Sequence, residues 1–214
     1  MIDKDDYPFA MRHPSGFVEP CLPSKVVRPP SGSLWLHEIK FDGYRLMVRR
    51  DGPRIPCFTR NGYDWARRFP AIVAAAHRIK ASRFLIDGEV VIVRDDGTSD
   101  FRALRHRRRG HEAVLYAFDL LELDGDDLRD LPLIERKGRL KKLIGIKARH
   151  AILFTEHLMG DGATMFRHVS SMGLEGIVSK RTDAPYRSGP SKTWLKSRNP
   201  SSDAMRRESE EEWR

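Results

Sequence analysis

Trp35-Leu36-His37-Glu38-Ile39-Lys40-Phe41-Asp42-Gly43-Tyr44-Arg45 is the stretch on which the reading of this chain turns. An apolar run ends in a lysine, and Asp42-Gly43 then signals a tight turn. A lysine placed at the mouth of a strand can bury its stem and aim its amine into a cleft. In K-x-D-G-x-R it is therefore a candidate covalent nucleophile. Taken alone, the pattern fits a plain strand entering a turn better than it fits a nucleophile, because lysine, aspartate and glycine are common residues. Its weight comes from the groups that follow in order: Thr59-Arg60-Asn61-Gly62, Asp87-Gly88-Glu89, Phe118-Asp119, Glu175-Gly176-Ile177-Val178-Ser179-Lys180 and Trp194-Leu195-Lys196-Ser197-Arg198.

Outward from that stretch, strand and hairpin signals dominate. Residues 34–40 read as a strand. Residues 44–50 and 55–59 flank Asp51-Gly52, a hairpin signal. Residues 64–80 read as a helix with a kink or a new first turn at Pro70. Residues 83–93 form an apolar strand interrupted at Asp87-Gly88, and Asp96-Gly97 marks a turn. Residues 101–109 read as a short basic helix or loop, and 113–123 as a strand. The segment 132–144 is helical, with Pro132 near its first turn. Strands at 152–157, 174–180 and 193–198 and a helix at 164–172 complete the body. Hairpins outnumber strand–helix crossovers, so the expected class is α+β, with antiparallel-rich sheets flanked by helices. Residues 1–33 are proline-rich and read as an irregular lead-in packed on the core. Residues 34–199 form the main domain, and 200–214 a polar tail with a helix at 204–213.

The 214 residues suffice for one substantial domain or two small ones, and 40% of them are apolar, ordinary for a globular protein. The N-terminal Met1-Ile2-Asp3-Lys4-Asp5-Asp6 is acidic and lacks an apolar segment, so no secretory signal is expected. The longest apolar runs are too short to cross a bilayer, so no membrane partner is expected. Cys21 and Cys57 do not form C-x-x-C, and the eight histidines lack zinc-ligand spacing. His106 and His111 flank Gly110 without a third ligand and read as solvated loop residues. Two reduced thiols fit a cytoplasmic location. The net charge is +9, and residues 201–214 contribute −2, which leaves +11 on the rest. Such an excess favours polyanionic partners, nucleic acid first. Arg102, Arg105, Arg107, Arg108 and Arg109 fall within eight residues, a density that points to a phosphate backbone rather than to base readout.

With these motifs in order, the chain resembles the nucleotidyltransferase core of ATP-dependent DNA ligases, shared in fold with mRNA-capping enzymes and ATP-grasp-like. It looks most like the ligase module of bacterial end-joining enzymes, over roughly residues 17–198. The resemblance implies that Lys40 forms lysyl-AMP, that Glu38 and Ile39 read the adenine edge, and that Arg45 contacts the nucleotide. It makes Arg60 a ligand of the ribose or of the 5′-phosphate at a nick, and Phe118 the ring that stacks on adenine. Glu89 becomes the ribose- and metal-linked acid. Glu175 becomes the main ligand of a catalytic Mg2+ or Mn2+, with help from Asp42 or Glu89. Lys196 and Arg198, alternating on one strand, face the α-phosphate. The family usually has two lysines there, and Arg198 departs from that pattern. Nicked duplex DNA is the implied substrate, bound by Arg60, Arg105, Arg107, Arg108 and Arg109, with other end-joining proteins as partners.

A sixth family motif belongs to a separate C-terminal OB-fold domain, and it has no counterpart in the 16 residues after Arg198. The expectation is a minimal ligase in DNA repair whose reaction from ATP is weak. The residues leave two alternatives open: an RNA ligase or capping-type nucleotidyltransferase, and a truncated relative that binds adenylate or nicked DNA with weak or no turnover.

Overall fold

Side-chain alternation along the central strands sets the layers of the molecule. In β3 (Tyr44–Asp51), Leu46 and Val48 enter one core while Met47 enters another. β5 (Arg83–Val91) repeats this, sending Phe84, Ile86 and Val90 one way and Leu85 the other. A strand with both faces buried reads as a nearly continuous apolar run, which is why Leu85-Ile86 and Val90-Val91 stand out in the sequence. The computed structural model that shows this describes residues 14–145 and 151–212, without the side chains of Arg107 and of residues 208–212. Residues 1–13 of the expected lead-in, the Arg107 side chain and the last two residues of the tail lie outside the described residues.

The remaining strands are β1 (Cys21–Lys25), β2 (Ser31–Ile39), β4 (Cys57–Thr59), β6 (Val114–Leu123), β7 (Asp126–Asp127), β8 (Ile152–Phe154), β9 (Leu158–Asp161), β10 (Gly176–Arg181) and β11 (Gly189–Arg198). The helices are α1 (Pro70–His77), α2 (Phe101–Arg105), α3 (Leu133–Ile144), α4 (Gly162–Ser171) and α5 (Asp203–Glu212). One sheet has the order β1-β11-β10-β2-β9, the other β4-β3-β5-β6-β7, with β8 beside β6. All pairings are antiparallel except β1 with β11 and β6 with β8. The first core lies between the second sheet and the α1/α3 side. The other lies between the two sheets and contains Leu36, Met47, Leu85, Phe118 and Trp194. The expected α+β class with antiparallel-rich sheets is what the chain adopts.

Several local expectations change. Residues 21–25, read as irregular, form β1 along β11. The helix expected over 64–80 is a short turn at Ala66–Arg68 followed by α1, which starts on Pro70. Proline's fixed φ suits a first helical position, so it opens a new helix instead of kinking an old one. β5 runs unbroken through Asp87-Gly88, and only its register with β6 shifts there. The strand expected over 152–157 stops at Phe154, and β9 was not anticipated. Asn61-Gly62 has the composition of a type I′ turn, yet the turn at Thr59–Gly62 is not of that type. Among the described residues Asp124 is the sole non-glycine at positive φ, so Asn61 does not meet the requirement.

Two glycines set how closely the sheets approach the end of β2. A Cβ on Gly43 would stand 2.1 Å from the Val90 carbonyl oxygen, and one on Gly176 would stand 2.1 Å from that of Ser197. Gly176 also has φ +142°, a conformation other residues rarely adopt.

α3 is fastened to β6 by an ion pair with no solvent exposure: Arg136 Nε and Nη2 donate to Asp119 Oδ1 and Oδ2, both at 2.8 Å. Arg136 Nη1 also donates to the carbonyls of Leu131 and Ala184. Removing one partner of a buried pair strands the other charge. Arg136→Ala is therefore expected to lower unfolding stability by about 3–5 kcal/mol in urea denaturation at neutral pH. A loss below about 1 kcal/mol, the size of an exposed pair, would contradict this.

Candidate active site

The mouth between the two sheets is a cleft of about 570 Å³. This is within the usual range for small-molecule sites. Lys40, Glu38, Ile39, Arg45, Arg60, Glu89, Phe118, Lys196 and Arg198 all line it, so the sequence motifs converge on one place. β2 ends at Ile39, and the Lys40 N–H donates to the Gly176 carbonyl at 2.9 Å. That bond delivers the lysine side chain to the start of β10, where Glu175 precedes Gly176. Lys40 Nζ lies 2.6 Å from Glu175 Oε1, and Arg198 Nε 3.7 Å from the same oxygen.

Burial pushes the Glu175 carboxyl up, against the pull of Lys40. Its Oε2 is buried without a hydrogen-bond partner. Glu89, opposite, is pushed up to about 7 by burial, with Lys40 and Arg45 pulling the other way. Lys196 is pushed down by burial and then by the cations Arg198 and Lys40. A site that disfavours its own positive charge gains when an anion enters. Among the cleft-lining residues, Lys40, Arg45, Arg60, Lys180, Lys196 and Arg198 outnumber Glu38 and Glu89.

Asp42 behaves differently from the sequence reading. A longer β2 would set Asp42, two residues on, on the same side as Lys40, but the strand ends at Ile39. Its carboxylate accepts from Arg207 of α5, whose guanidinium also lies 4.8 Å from the Phe101 ring centre. Among the described residues no three of His, Cys, Asp and Glu form a metal-binding cluster. Glu175, with its unpartnered oxygen, is the residue here whose chemistry fits a divalent cation.

Arg45 lines the cleft, but it also faces inward. Its Nε and Nη2 donate to Asp87 at 2.6 and 2.7 Å, and Nη2 donates to the Cys21 carbonyl at 3.3 Å. Tyr186 Oη donates to Asp87 Oδ2 at 2.7 Å and accepts from the Cys21 N–H at 2.8 Å. Asp87 therefore finds its partners in an arginine and a tyrosine. Phe118 forms part of the wall. The Arg45 guanidinium lies 4.6 Å and Lys180 Nζ 4.0 Å from its ring centre, and Trp194 packs edge-on against it.

Arg60 is exposed on its turn at the rim. Arg102, Arg105, Arg108 and Arg109 are exposed on α2 and the short turn of helix at Arg107–Glu112. Arg109 makes two hydrogen bonds to Glu112. Sequence reading gave no role to Asp87, Tyr186, Lys137 or Arg207. The acid inside the apolar β5 was the one available signal, for Asp87. Cys21 and Cys57 are free and buried, and burial pushes the Cys57 thiol up to about 12.

This architecture is that of known ligase cores. Mycobacterial DNA ligase D complexed with ATP and MES superposes with a TM-score of 0.72 at 29% identity, covering 84% of this chain and 59% of that one. A family model described as "ATP dependent DNA ligase domain" matches residues 21–198, and the chain belongs to that family. The multifunctional non-homologous end joining protein LigD of Pseudomonas aeruginosa is 37% identical over 183 residues, 84% of this chain and 22% of the relative. The SPbeta prophage-derived DNA ligase-like protein LigB of Bacillus subtilis is 31% identical over 186 residues, 84% of this chain and 67% of the relative. The chain thus spans about a fifth of the length of the Pseudomonas relative. Among the described residues no helix is long and apolar enough to cross a membrane.

Glu89 gives a pH test of the site. Its folded value of about 7 lies above the ordinary 4.5. Between those values the folded state keeps a proton that the unfolded state has lost, so this group's contribution to stability falls as pH rises from about 4.5 to 7 and is level above that. Glu89→Gln lacks that titration. Its stability relative to wild type should climb across the same window in urea unfolding at pH 4.5–8, and parallel profiles would contradict the assignment.

Proposed function

We propose that this chain joins breaks in duplex DNA with ATP, through a lysyl-AMP and then a DNA-adenylate. The observation that supports it most is the Lys40–Glu175 pair at the foot of a cation-lined cleft. The Lys40 amine attacks the α-phosphate of ATP, an N–P bond forms, and the bond to pyrophosphate breaks. AMP then passes to a 5′-phosphate at a nick, and the 3′-hydroxyl displaces it. Lys196 and Arg198 face the cleft from β11, and their charge answers the phosphate charge that develops. Ile39 and Glu38 border the base, Phe118 offers a ring to it, and Arg60 stands at the rim toward ribose or the 5′-phosphate.

Glu175 is the residue that would hold Mg2+ or Mn2+, with Glu89 or Asp42 flanking it. Such an ion supplies neutralisation of phosphate charge when bound. Asp42 would have to exchange its contact with Arg207 to take part. The exposed Arg105, Arg108 and Arg109, together with Arg107, track the DNA backbone. The similarity to end-joining proteins makes DNA repair the setting and other end-joining proteins the partners, and two reduced thiols suit the cytoplasm.

Lys40→Ala and Lys40→Arg should both abolish ATP-dependent sealing of a 5′-phosphate nick, because a guanidinium stays protonated and cannot replace the amine. Sealing retained by either variant would remove Lys40 from the reaction. Sealing of nicked RNA at the same rate as nicked DNA would favour an RNA ligase instead.

Replacing Arg105, Arg108 and Arg109 by serine should weaken DNA binding for every sequence alike. The log–log salt dependence should flatten by up to roughly 3 units if each arginine neutralises one phosphate. An unchanged slope would make the cluster a solvated surface.

A further inference from the structure

Glu38 lines the cleft two residues before Lys40, yet it is 2% exposed. Each of its carboxylate oxygens faces a different lysine. Lys137 Nζ lies 2.5 Å from Oε1, and Lys180 Nζ 2.6 Å from Oε2. Lys137 comes from α3, behind the cleft wall, and is itself 1% exposed. Its ammonium also donates to the carbonyls of Thr155 at 3.1 Å and Phe118 at 3.5 Å, so it is locked in place by three acceptors. Lys180 comes from β10, and its Nζ lies 4.0 and 3.9 Å from the ring centres of Phe118 and Trp194.

A carboxylic acid buried this deeply without cations takes up a proton. Here burial pushes Glu38 up, and the two lysines more than offset that and hold it below the usual range. The other titratable groups near the cluster are His157, between β8 and β9, and Asp119 on β6, which Arg136 neutralises.

We propose that Lys137 and Lys180 keep Glu38 an acceptor-only group, and that Lys137 is thereby a positioning residue for choice of the nucleotide base. The inference rests on the reading that this cleft holds ATP. An ionised carboxylate accepts hydrogen bonds and donates none. It suits a purine with an amino group at C6 and repels one with a carbonyl there. A protonated Glu38 would donate to that carbonyl and lose the distinction. Selection of adenine over guanine is then a property of the charges behind the wall as much as of the acid facing the base.

The test is calorimetric binding of AMP and GMP to wild type, Lys137→Met, Lys137→Arg and Glu38→Gln. Wild type should prefer AMP at every pH from 6 to 8. In Lys137→Met the preference should fall roughly tenfold or more, the scale of one mismatched buried hydrogen bond. Its GMP affinity should rise as pH falls, because the acid that has lost a cation protonates more readily. Lys137→Arg keeps the charge and should keep most of the preference. Glu38→Gln carries a permanent donor and should accept GMP without pH dependence, a readout that stands even if Lys137→Met does not fold. An AMP-to-GMP ratio unchanged in Lys137→Met, or unchanged in Glu38→Gln, would overturn the inference. Failure of wild type to bind either nucleotide would remove the proposed function itself, and this inference with it.

Discussion

Lys40 and Glu175 meet at 2.6 Å where two neighbouring strands come together, and much of the architecture serves that meeting. β2 must stop at Ile39 so that the lysine leaves the ladder, and β10 must begin just after the acid. The backbone bond from Lys40 to Gly176 fixes the relative height of the two side chains. Gly43 and Gly176 remove the side chains that would hold Val90 and Ser197 away. The Glu175 carboxylate is nearly withdrawn from water and would carry an uncompensated charge without the partly exposed Lys40 ammonium beside it.

The same rule is applied in successive layers behind the cleft. Asp87 is matched by Arg45 and Tyr186, Glu38 by Lys137 and Lys180, and Asp119 by Arg136. Each acid lies on a strand and each cation reaches it from a different element, so the charge pairs also fix the relation of sheets to helices. On the β11 side of the cleft the balance is reversed. Lys196, Arg198 and Lys40 repel one another, and burial and that repulsion push the Lys196 ammonium down. Packing gives every acid of the inner layers a cation and leaves positive charge concentrated where phosphate would enter.

The sequence exposed the site better than it exposed the edges of the fold. The cleft residues fall in short motifs with unusual composition, such as an acid within Leu85-Ile86-Asp87-Gly88-Glu89-Val90, where burial demands a partner. Strands with two buried faces were legible as apolar runs, and α3 was legible from Pro132 near its first turn. β9 was not, because Leu158 and Met159 are exposed on an edge strand and Gly160 interrupts any alternation. β1 was hidden by Pro23 and Ser24, at the point where its pairing with β11 slips. Lys137 was missed for another reason. On α3 it reads as a solvated charge beside Arg136, and its partner Glu38 is 99 positions away. No local pattern encodes a contact of that range. The Asp42–Arg207 contact, 165 positions apart, is hidden in the same way.

The most direct test of the account is to incubate the wild-type protein with ATP and magnesium, digest it, and locate any AMP adduct by tandem mass spectrometry. The account predicts a single acid-labile AMP on Lys40. An adduct on Lys180 or Lys196, or none under conditions in which the protein binds ATP, would contradict it.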